Sequence, residues 1–256
     1  MTNDTVPPPT QPTTPVTPPA AGSRSLRGAS ITAGVGILVM AALAPFGVFF
    51  AVDGLVTQGD AAQTAADITA SEGLFRAGIA SLLLVIALDV VIACALYRVF
   101  SPVNKGVSLL AMAFRLVYSG IYLVAVGHLL AVLRLLDGDA GPSVFSPDQV
   151  HAQALSEINA FNDVWALALG LFGLHLLTIG YLAFRSGYAP RVLGVLLAIA
   201  GLGYVIDTFG AISVQDSWTD VSSFTFLGEL LLALWLVIRG RLVRVPSAGG
   251  LLAEDE

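Results

Sequence analysis

Four ionisable residues lie inside long apolar runs, and their types allow proton transfer or ion pairing: Asp89, Arg115, His175 and Glu229. Each is nine or ten residues from a basic residue at one end of its run, in the same order Arg98, Lys105, Arg185 and Arg239. An α-helix rises about 1.5 Å per residue, so all four lie about 13–15 Å from those basic ends. That depth is close to the middle of a hydrocarbon layer about 30 Å thick.

Charges at that depth are costly, by roughly 2.5–3.5 kcal/mol each, and they are paired or neutralised. Asp89 and Arg115 come from adjacent antiparallel runs and form the natural pair. Glu229 and His175 can complete a network with them. Three further residues share the helical face of Arg115 and can add hydrogen bonds: Tyr118, Ser119 and Tyr122. We expect this face to point into the helix bundle and away from lipid.

Two interpretations of this polar layer stay open. It is either a site for a proton or a small solute near the midplane, where transporters commonly bind their substrates, or a structural network that fixes which helices meet. The first interpretation predicts a protein that binds or moves a solute, and the second a non-catalytic sensory or scaffolding component. An Asp89→Asn variant that folds but loses activity would favour the site.

A second polar set lies nearer the opposite ends of the runs: Arg76, His128, Asp163 and Asp207. Counted from the basic ends, Asp207 is about 24 Å deep, and His128 and Asp163 about 33 Å. Groups at that level reach the hydrated interface, so their burial requires less compensation. We expect this outer set to be mainly structural.

The elements that must position these residues are membrane-spanning helices. Apolar residues make up 56% of the 256 residues and charged residues only 12%, too few charges to cover a water-soluble domain. Six apolar runs are each near the length needed to cross a bilayer, at about 29–52, 74–97, 106–133, 164–184, 191–212 and 222–238. The sequence therefore predicts an all-α, six-helix transmembrane bundle.

Basic residues predict the orientation of the bundle, because cytoplasmic loops retain Lys and Arg. Nine of the twelve basic residues fall on one side of a six-span arrangement: Arg24, Arg27, Arg98, Lys105, Arg185, Arg191, Arg239, Arg241 and Arg244. The opposite loops are acidic. The pattern predicts that both termini are cytoplasmic (N-in/C-in).

The segments around the spans have their own signatures. Residues 1–27 are rich in Pro and Thr and are predicted to be a disordered cytoplasmic tail, and residues 241–256 a short second tail. The membrane domain is predicted at 28–240, with a kink at Pro45. Ser146 and Gln149 form a predicted capping box that opens an amphipathic helix before the fourth span.

Several function classes lack their motifs. The net charge of −6 argues against nucleic acid as a partner. The sequence has no HExxH, CxxC, Walker or GxSxG motif, so we predict no catalytic residues, no metal site and no cofactor, and a membrane-embedded enzyme is the least favoured of three functional hypotheses. The lipid bilayer is the one partner that the composition requires, and an unknown small solute or proton is a further candidate.

Two stretches resemble a known family. The first is LYRVFSPVNK at 96–105 running into AFRL at 113–116, and the second is YLAFRSGYAPRVLG at 181–194 running into GLGYVID at 201–207. Together they resemble the bacterial membrane family catalogued as domain of unknown function 4386 (DUF4386), over roughly residues 28–240. The resemblance implies a six-helix protein of the bacterial cell membrane and implies no chemistry.

Overall fold

Seven α-helices build the part of the chain that the computed structural model describes, residues 23–137, 145–213 and 227–246. We number them in chain order: α1 Arg27–Pro45, α2 Ala61–Ala70, α3 Glu72–Phe100, α4 Lys105–Leu136, α5 Pro147–Arg185, α6 Arg191–Ser213 and α7 Leu227–Ile238. The predicted all-α class is confirmed, with two three-residue strands as the exception.

Within the described residues, five segments are long and apolar enough to cross a membrane: Arg27–Leu55, Glu72–Phe100, Lys105–Leu136, Pro147–Arg185 and Arg191–Gly210. They coincide with the first five predicted spans. The described part of the predicted sixth span is α7, whose 12 residues cover only about 18 Å. Residues 222–226 of that span lie outside the described residues. The count of six spans and the N-in/C-in orientation therefore stay predictions.

Six helices pack in a ring in the order α1, α3, α4, α5, α6 and α7, and α7 closes the ring by packing against α1. Helix α5 packs most extensively against α4 and α6, and α3 lies between α1 and α4. Helix α7 contacts α1 and α6. The interior is built from apolar side chains such as Leu129, Phe161 and Leu176, whereas exposed Val124 and Val192 lie on the outside. An apolar interior surrounded by an apolar exterior is typical of a bundle that lipid solvates.

The first span changes its helical form at Pro45. Helix α1 ends there, and a π-helical turn at Phe46–Phe50 and a 3₁₀ turn at Asp53–Leu55 follow. Proline lacks an N–H and its ring clashes with the preceding turn, so the regular hydrogen-bond ladder cannot continue through it. Pro45, at which we predicted a kink, is thus the last residue of regular α-helix in this span.

Helix α2 lies between the first two predicted spans, outside the apolar runs, so hydropathy does not predict it. Asp60 caps the helix by accepting a hydrogen bond from the Gln63 N–H at 2.9 Å. Thr64 and Ile68 of α2 are buried, and the helix packs mainly against α5. This short helix is therefore held by tertiary contacts.

Helix α5 is one uninterrupted element that includes both the predicted amphipathic segment and the predicted fourth span. Its capping box is formed by Ser146 and Gln149, as the sequence predicts. Ala154, Ile158 and Phe161, on the apolar face of the amphipathic segment, are buried against the bundle. At 39 residues the helix is about 58 Å long, almost twice the hydrocarbon thickness.

A tight turn joins α5 to α6. Gly187 has a φ of +72°, which a glycine adopts without steric cost, and Pro190 immediately precedes α6. The Tyr188 hydroxyl donates a hydrogen bond of 2.7 Å to the Val99 carbonyl at the end of α3. Burial raises the pKa of the Tyr188 phenol, so it remains a neutral donor. The turn is thereby fixed to a neighbouring helix.

Two short strands lie at the two ends of the described chain. Ser23–Ser25 and Arg244–Pro246 pair in a two-stranded sheet. The described residues Ser23–Arg24 and Arg244–Pro246 group as a unit of their own, apart from the helical unit Ser25–Val243. Of the two predicted tails, residues 1–22 and 247–256 lie outside the described residues.

Candidate functional site

Four different helices deliver the predicted midplane residues to one place. Helix α3 carries Asp89, α4 carries Arg115, α5 carries His175 and α7 carries Glu229. The side chain of Arg115 contacts the other three directly. We call these four residues the Arg115 cluster.

The contact between Arg115 and Asp89 is the shortest in the cluster. The Arg115 Nε atom donates to Asp89 Oδ1 at 2.8 Å, and Nη2 lies 2.7 Å from the same oxygen. Both side chains are 0% exposed. Asp89 Oδ2 is also buried and has no hydrogen-bond partner among the described residues. The pair is therefore deeply buried, but one carboxylate oxygen is left unsatisfied.

The imidazole of His175 connects α5 to α4. Its Nδ1 atom lies 2.8 Å from the Ala111 carbonyl oxygen, which can only accept, so Nδ1 carries the proton. Its Nε2 atom lies 3.1 Å from Arg115 Nη1, which can only donate, so Nε2 is the acceptor. These two partners fix His175 as a neutral ring with one tautomer.

Glu229 is the most loosely held member of the cluster. Its Oε1 atom accepts one hydrogen bond, of 3.3 Å, from Arg115 Nη1. Its side chain is 20% exposed, whereas that of Arg115 is fully buried. Glu229 lies in the first turn of α7, where the helix dipole favours a carboxylate. It is the member of the cluster that a solute can reach most easily.

Two residues that the sequence analysis did not name complete the surroundings of the guanidinium. The Phe172 ring lies under Arg115, with Cζ 5.2 Å from the ring centroid, a cation–π distance. The Arg115 Nη2 atom also lies 3.8 Å from the thioether sulfur of Met40 on α1. Phe172 is one turn before His175 on the same face of α5, a signal that was available in the sequence. Met40 has no comparable signal.

Three residues of α4 that we predicted to add hydrogen bonds have different contacts: Tyr118, Ser119 and Tyr122. The Ser119 hydroxyl donates to the Arg115 backbone carbonyl at 2.8 Å, and so does not contact the guanidinium. Tyr118 stacks on Tyr122 and packs against Phe172. The Tyr122 hydroxyl is buried and has no hydrogen-bond partner among the described residues. The face of α4 that carries them is buried in the bundle, as expected.

The net charge of the cluster is not zero when both carboxylates are ionised. One guanidinium faces two carboxylates and a neutral imidazole. A net negative charge is poorly solvated in a low-dielectric interior. A proton or a bound cation on one carboxylate would bring the charge of the cluster to zero. Binding of a proton or of a cationic solute is therefore the chemistry that this cluster suits.

The outer set is not gathered in the same way by the contacts that the structure describes. Arg76 forms an ion pair with Glu72 and a second, of 3.0 Å, with Asp137, so its partners come from outside the predicted set. His128 Nδ1 lies 2.7 Å from Glu157 Oε2. Asp163 is exposed, and Asp207 is half-buried on α6. Arg76 connects the start of α3 to the residue after α4, and His128 connects α4 to α5. The side chains in both contacts are partly exposed.

Metal coordination has no candidate within residues 23–137, 145–213 and 227–246. No group of three or more His, Cys, Asp or Glu side chains there has the arrangement of a metal site. In the Arg115 cluster both nitrogens of His175 are already occupied. The cluster is thus an ion-pair network with one excess carboxylate.

Comparison with known proteins identifies the family. The chain is 34% identical over 163 residues to an uncharacterised protein from the archaeon Archaeoglobus fulgidus, a match that covers 64% of this chain and 83% of the relative. No solved structure matches the chain. The family described as "Domain of unknown function (DUF4386)" matches residues 32–240, which include all four residues of the Arg115 cluster. The chain therefore belongs to the DUF4386 family, as its resemblance in the sequence implied.

Proposed function

We propose that this chain is a multi-pass membrane protein that binds a proton or a small cationic solute at the Arg115 cluster and moves it across the bilayer. The observation that carries the proposal is the composition of the cluster. One buried guanidinium is shared between two carboxylates and a neutral imidazole that come from four helices. Ionisable groups inside membrane helices commonly mark substrate pathways and proton relays.

The two carboxylates have different roles in this proposal. Asp89 is held at 2.7 and 2.8 Å by two nitrogens of Arg115, so it is the permanent partner of the cation. Glu229 is held by one contact of 3.3 Å and is partly exposed, so it is the exchangeable carboxylate. A proton or a cation on Glu229 neutralises the cluster. Its release restores the contact between Glu229 and Arg115.

The cellular setting belongs to the same proposal. Five apolar helices support embedding in a membrane. The basic loops support six spans with both termini in the cytoplasm, and the family resemblance supports a bacterial cell membrane.

A second candidate function is a sensory or scaffolding membrane component whose buried charges only fix the bundle. The complete burial of Asp89 and Arg115 favours this alternative, because a sealed pair is not accessible to a solute. Under it, the cluster specifies which helices meet and no solute exchanges with it.

Proton flux into vesicles of reconstituted protein separates the two functions. A pH-sensitive dye inside the vesicles reports flux after a pH gradient is imposed. We expect flux from the unaltered protein and its loss in Glu229→Gln, whose thermal unfolding should stay close to that of the unaltered protein. Glu72→Gln is the matched control, since Glu72 is an exposed carboxylate at the end of α3 and outside the cluster.

Two results would contradict transport of protons. The first is a flux from the unaltered protein no greater than from protein-free vesicles, under both signs of membrane potential. The second is an undiminished flux in folded Glu229→Gln. Either result would contradict proton transport and favour the structural role.

A further inference from the structure

An open apolar groove of about 200 Å³ runs along the outside of the bundle between α5 and α6. Helix α5 contributes Leu177, Gly180, Tyr181 and Phe184 to its lining, and α6 contributes Gly194, Val195 and Ala198. From Leu177 to Phe184 the lining extends for about 10 Å along the helix axis. The groove is distinct from the Arg115 cluster.

Two glycines determine the shape of this groove. A methyl group on Gly180 would lie 2.7 Å from the Gly194 carbonyl oxygen, and one on Gly194 would lie 2.7 Å from the Gly180 carbonyl oxygen. The two backbones therefore approach as closely as only glycine allows. Exposed Tyr181 and Val195 stand beside the groove. The result is a slot with a backbone floor and apolar walls, which suits a flexible hydrocarbon chain.

One end of the groove is positively charged. The guanidinium of Arg191 lies over the Phe184 ring, with Cζ 5.8 Å from the centroid, at the point where the groove ends. Arg185 follows Phe184 at the last residue of α5. Both arginines are exposed, and neither forms an ion pair with a carboxylate in the described part of the chain. The Arg191 guanidinium therefore lies at the end of the apolar slot, and the exposed Arg185 is one residue from Phe184 along α5.

We propose that this groove binds an anionic phospholipid of the surrounding bilayer, with an acyl chain in the slot and the phosphate at Arg185 and Arg191. Arginine is well suited to this role, since its planar donors match phosphate oxygens and it is always charged. Basic pockets between spanning helices on the cytoplasmic side commonly bind anionic lipid headgroups. The basic end of α5 and α6 lies on the side predicted to be cytoplasmic. This inference rests on the proposed embedding in a membrane and does not depend on transport by the cluster.

Native mass spectrometry of protein taken from mixed vesicles tests the site. The vesicles contain equal parts of phosphatidylglycerol and phosphatidylcholine, and the measurement is the lipid retained per protein. We expect one retained phosphatidylglycerol on the unaltered protein. Its retention should be lost in the double variant Arg185→Gln/Arg191→Gln, which removes the charge. It should also be lost in Val195→Trp, which fills the slot from an exposed position.

Arg98→Gln is the matched control, because Arg98 is exposed at the end of α3 on the same predicted side and does not line the groove. Thermal unfolding of every variant checks that the bundle is intact. Retention that survives Val195→Trp, or that falls equally in Arg98→Gln, would overturn the groove as the site and leave only a basic surface. Equal retention of the two lipids would overturn the selectivity for anionic lipid. Failure of the membrane proposal has a different signature, since no variant would then incorporate into vesicles.

Discussion

The guanidinium of Arg115 contacts only one carboxylate oxygen of Asp89. Two nitrogens of the guanidinium lie 2.7 and 2.8 Å from Oδ1, while Oδ2 has no hydrogen-bond partner in the part of the chain described. A side-by-side arrangement would have paired these two nitrogens with both carboxylate oxygens of Asp89. The third nitrogen, Nη1, would not have been affected. The observed arrangement leaves Nη1 for His175 and Glu229. One cation thereby connects four helices.

Removing that cation should destabilise the protein strongly. Arg115→Met keeps the approximate side-chain volume but leaves Asp89 buried without its partner, at an expected cost of about 3–5 kcal/mol. The measurement is the midpoint of thermal unfolding in detergent. Arg134→Met is the control, because Arg134 is an exposed arginine on the same helix and should change the midpoint little.

The partner substitution sharpens this test. Adding Asp89→Asn to Arg115→Met removes the unpaired charge, so the double variant should be more stable than Arg115→Met alone. Simple additivity of the two losses would show that the two groups do not interact in the folded protein.

The two carboxylates should differ in their contribution to stability. Asp89→Asn weakens a fully buried pair, whereas Glu229→Gln weakens one contact of 3.3 Å at a partly exposed side chain. We expect the first substitution to lower the unfolding midpoint several-fold more than the second. Equal losses would contradict the assignment of Glu229 as the exchangeable member.

His175 should be neutral with its proton on Nδ1. Ala111 accepts from one ring nitrogen and Arg115 donates to the other, and protonation of Nε2 would place two donors face to face. The ¹⁵N chemical shifts of the labelled ring report the tautomer directly. His151 provides an internal comparison, since it lies at the start of α5 away from the cluster. A signal for a doubly protonated His175 ring, or for a proton on Nε2, would contradict the arrangement.

The contact between α5 and α6 should depend on its glycines. Gly194→Ala would place a methyl group 2.7 Å from the Gly180 carbonyl oxygen and force the helices apart, at about 1–3 kcal/mol. Gly120→Ala is the control, as a methyl group there meets nothing within 4 Å. Unfolding midpoints in detergent measure both. If the two variants unfold together, the close approach of α5 and α6 is not a source of stability.

The number of spans can be tested at the termini. Six spans predict that the N- and C-termini both lie in the cytoplasm, because the basic loops then all face inward. Five spans would place them on opposite sides. Reporter fusions at each end, one fluorescent only inside the cell and one enzymatically active only outside, decide between these arrangements. An external C-terminus would overturn the six-span arrangement.

Periodic and compositional signals predicted most of the helical framework. Apolar length located the five described spanning helices, and the Ser146 capping box located the start of α5. Helix α2 escaped prediction because Ala61–Ala70 is short and mixes alanine with polar residues, a composition also found in loops. Its stability comes from packing against α5, which local sequence does not encode.

The level of the cluster and its four members were predictable, but the atoms through which they make contact were not. Counting residues from basic helix ends gives depth, since the rise per residue is constant. Depth alone does not say which way a side chain turns. Arg76, a member of the outer set, turns to Glu72 on its own helix and to Asp137, the residue that follows α4. Phe172 and Met40 were missed because an aromatic ring and a thioether in a spanning helix look like ordinary interior residues.

The length of α5 has a mechanical consequence. Proline occurs in this helix only at its first residue, so the 39 residues act as one stiff lever. About half of its length is enough to cross the hydrocarbon layer, and α2 packs against this helix. A tilt of the amphipathic end of a stiff α5 would therefore also displace His175 and Phe172, the two residues of this helix that contact the guanidinium of Arg115.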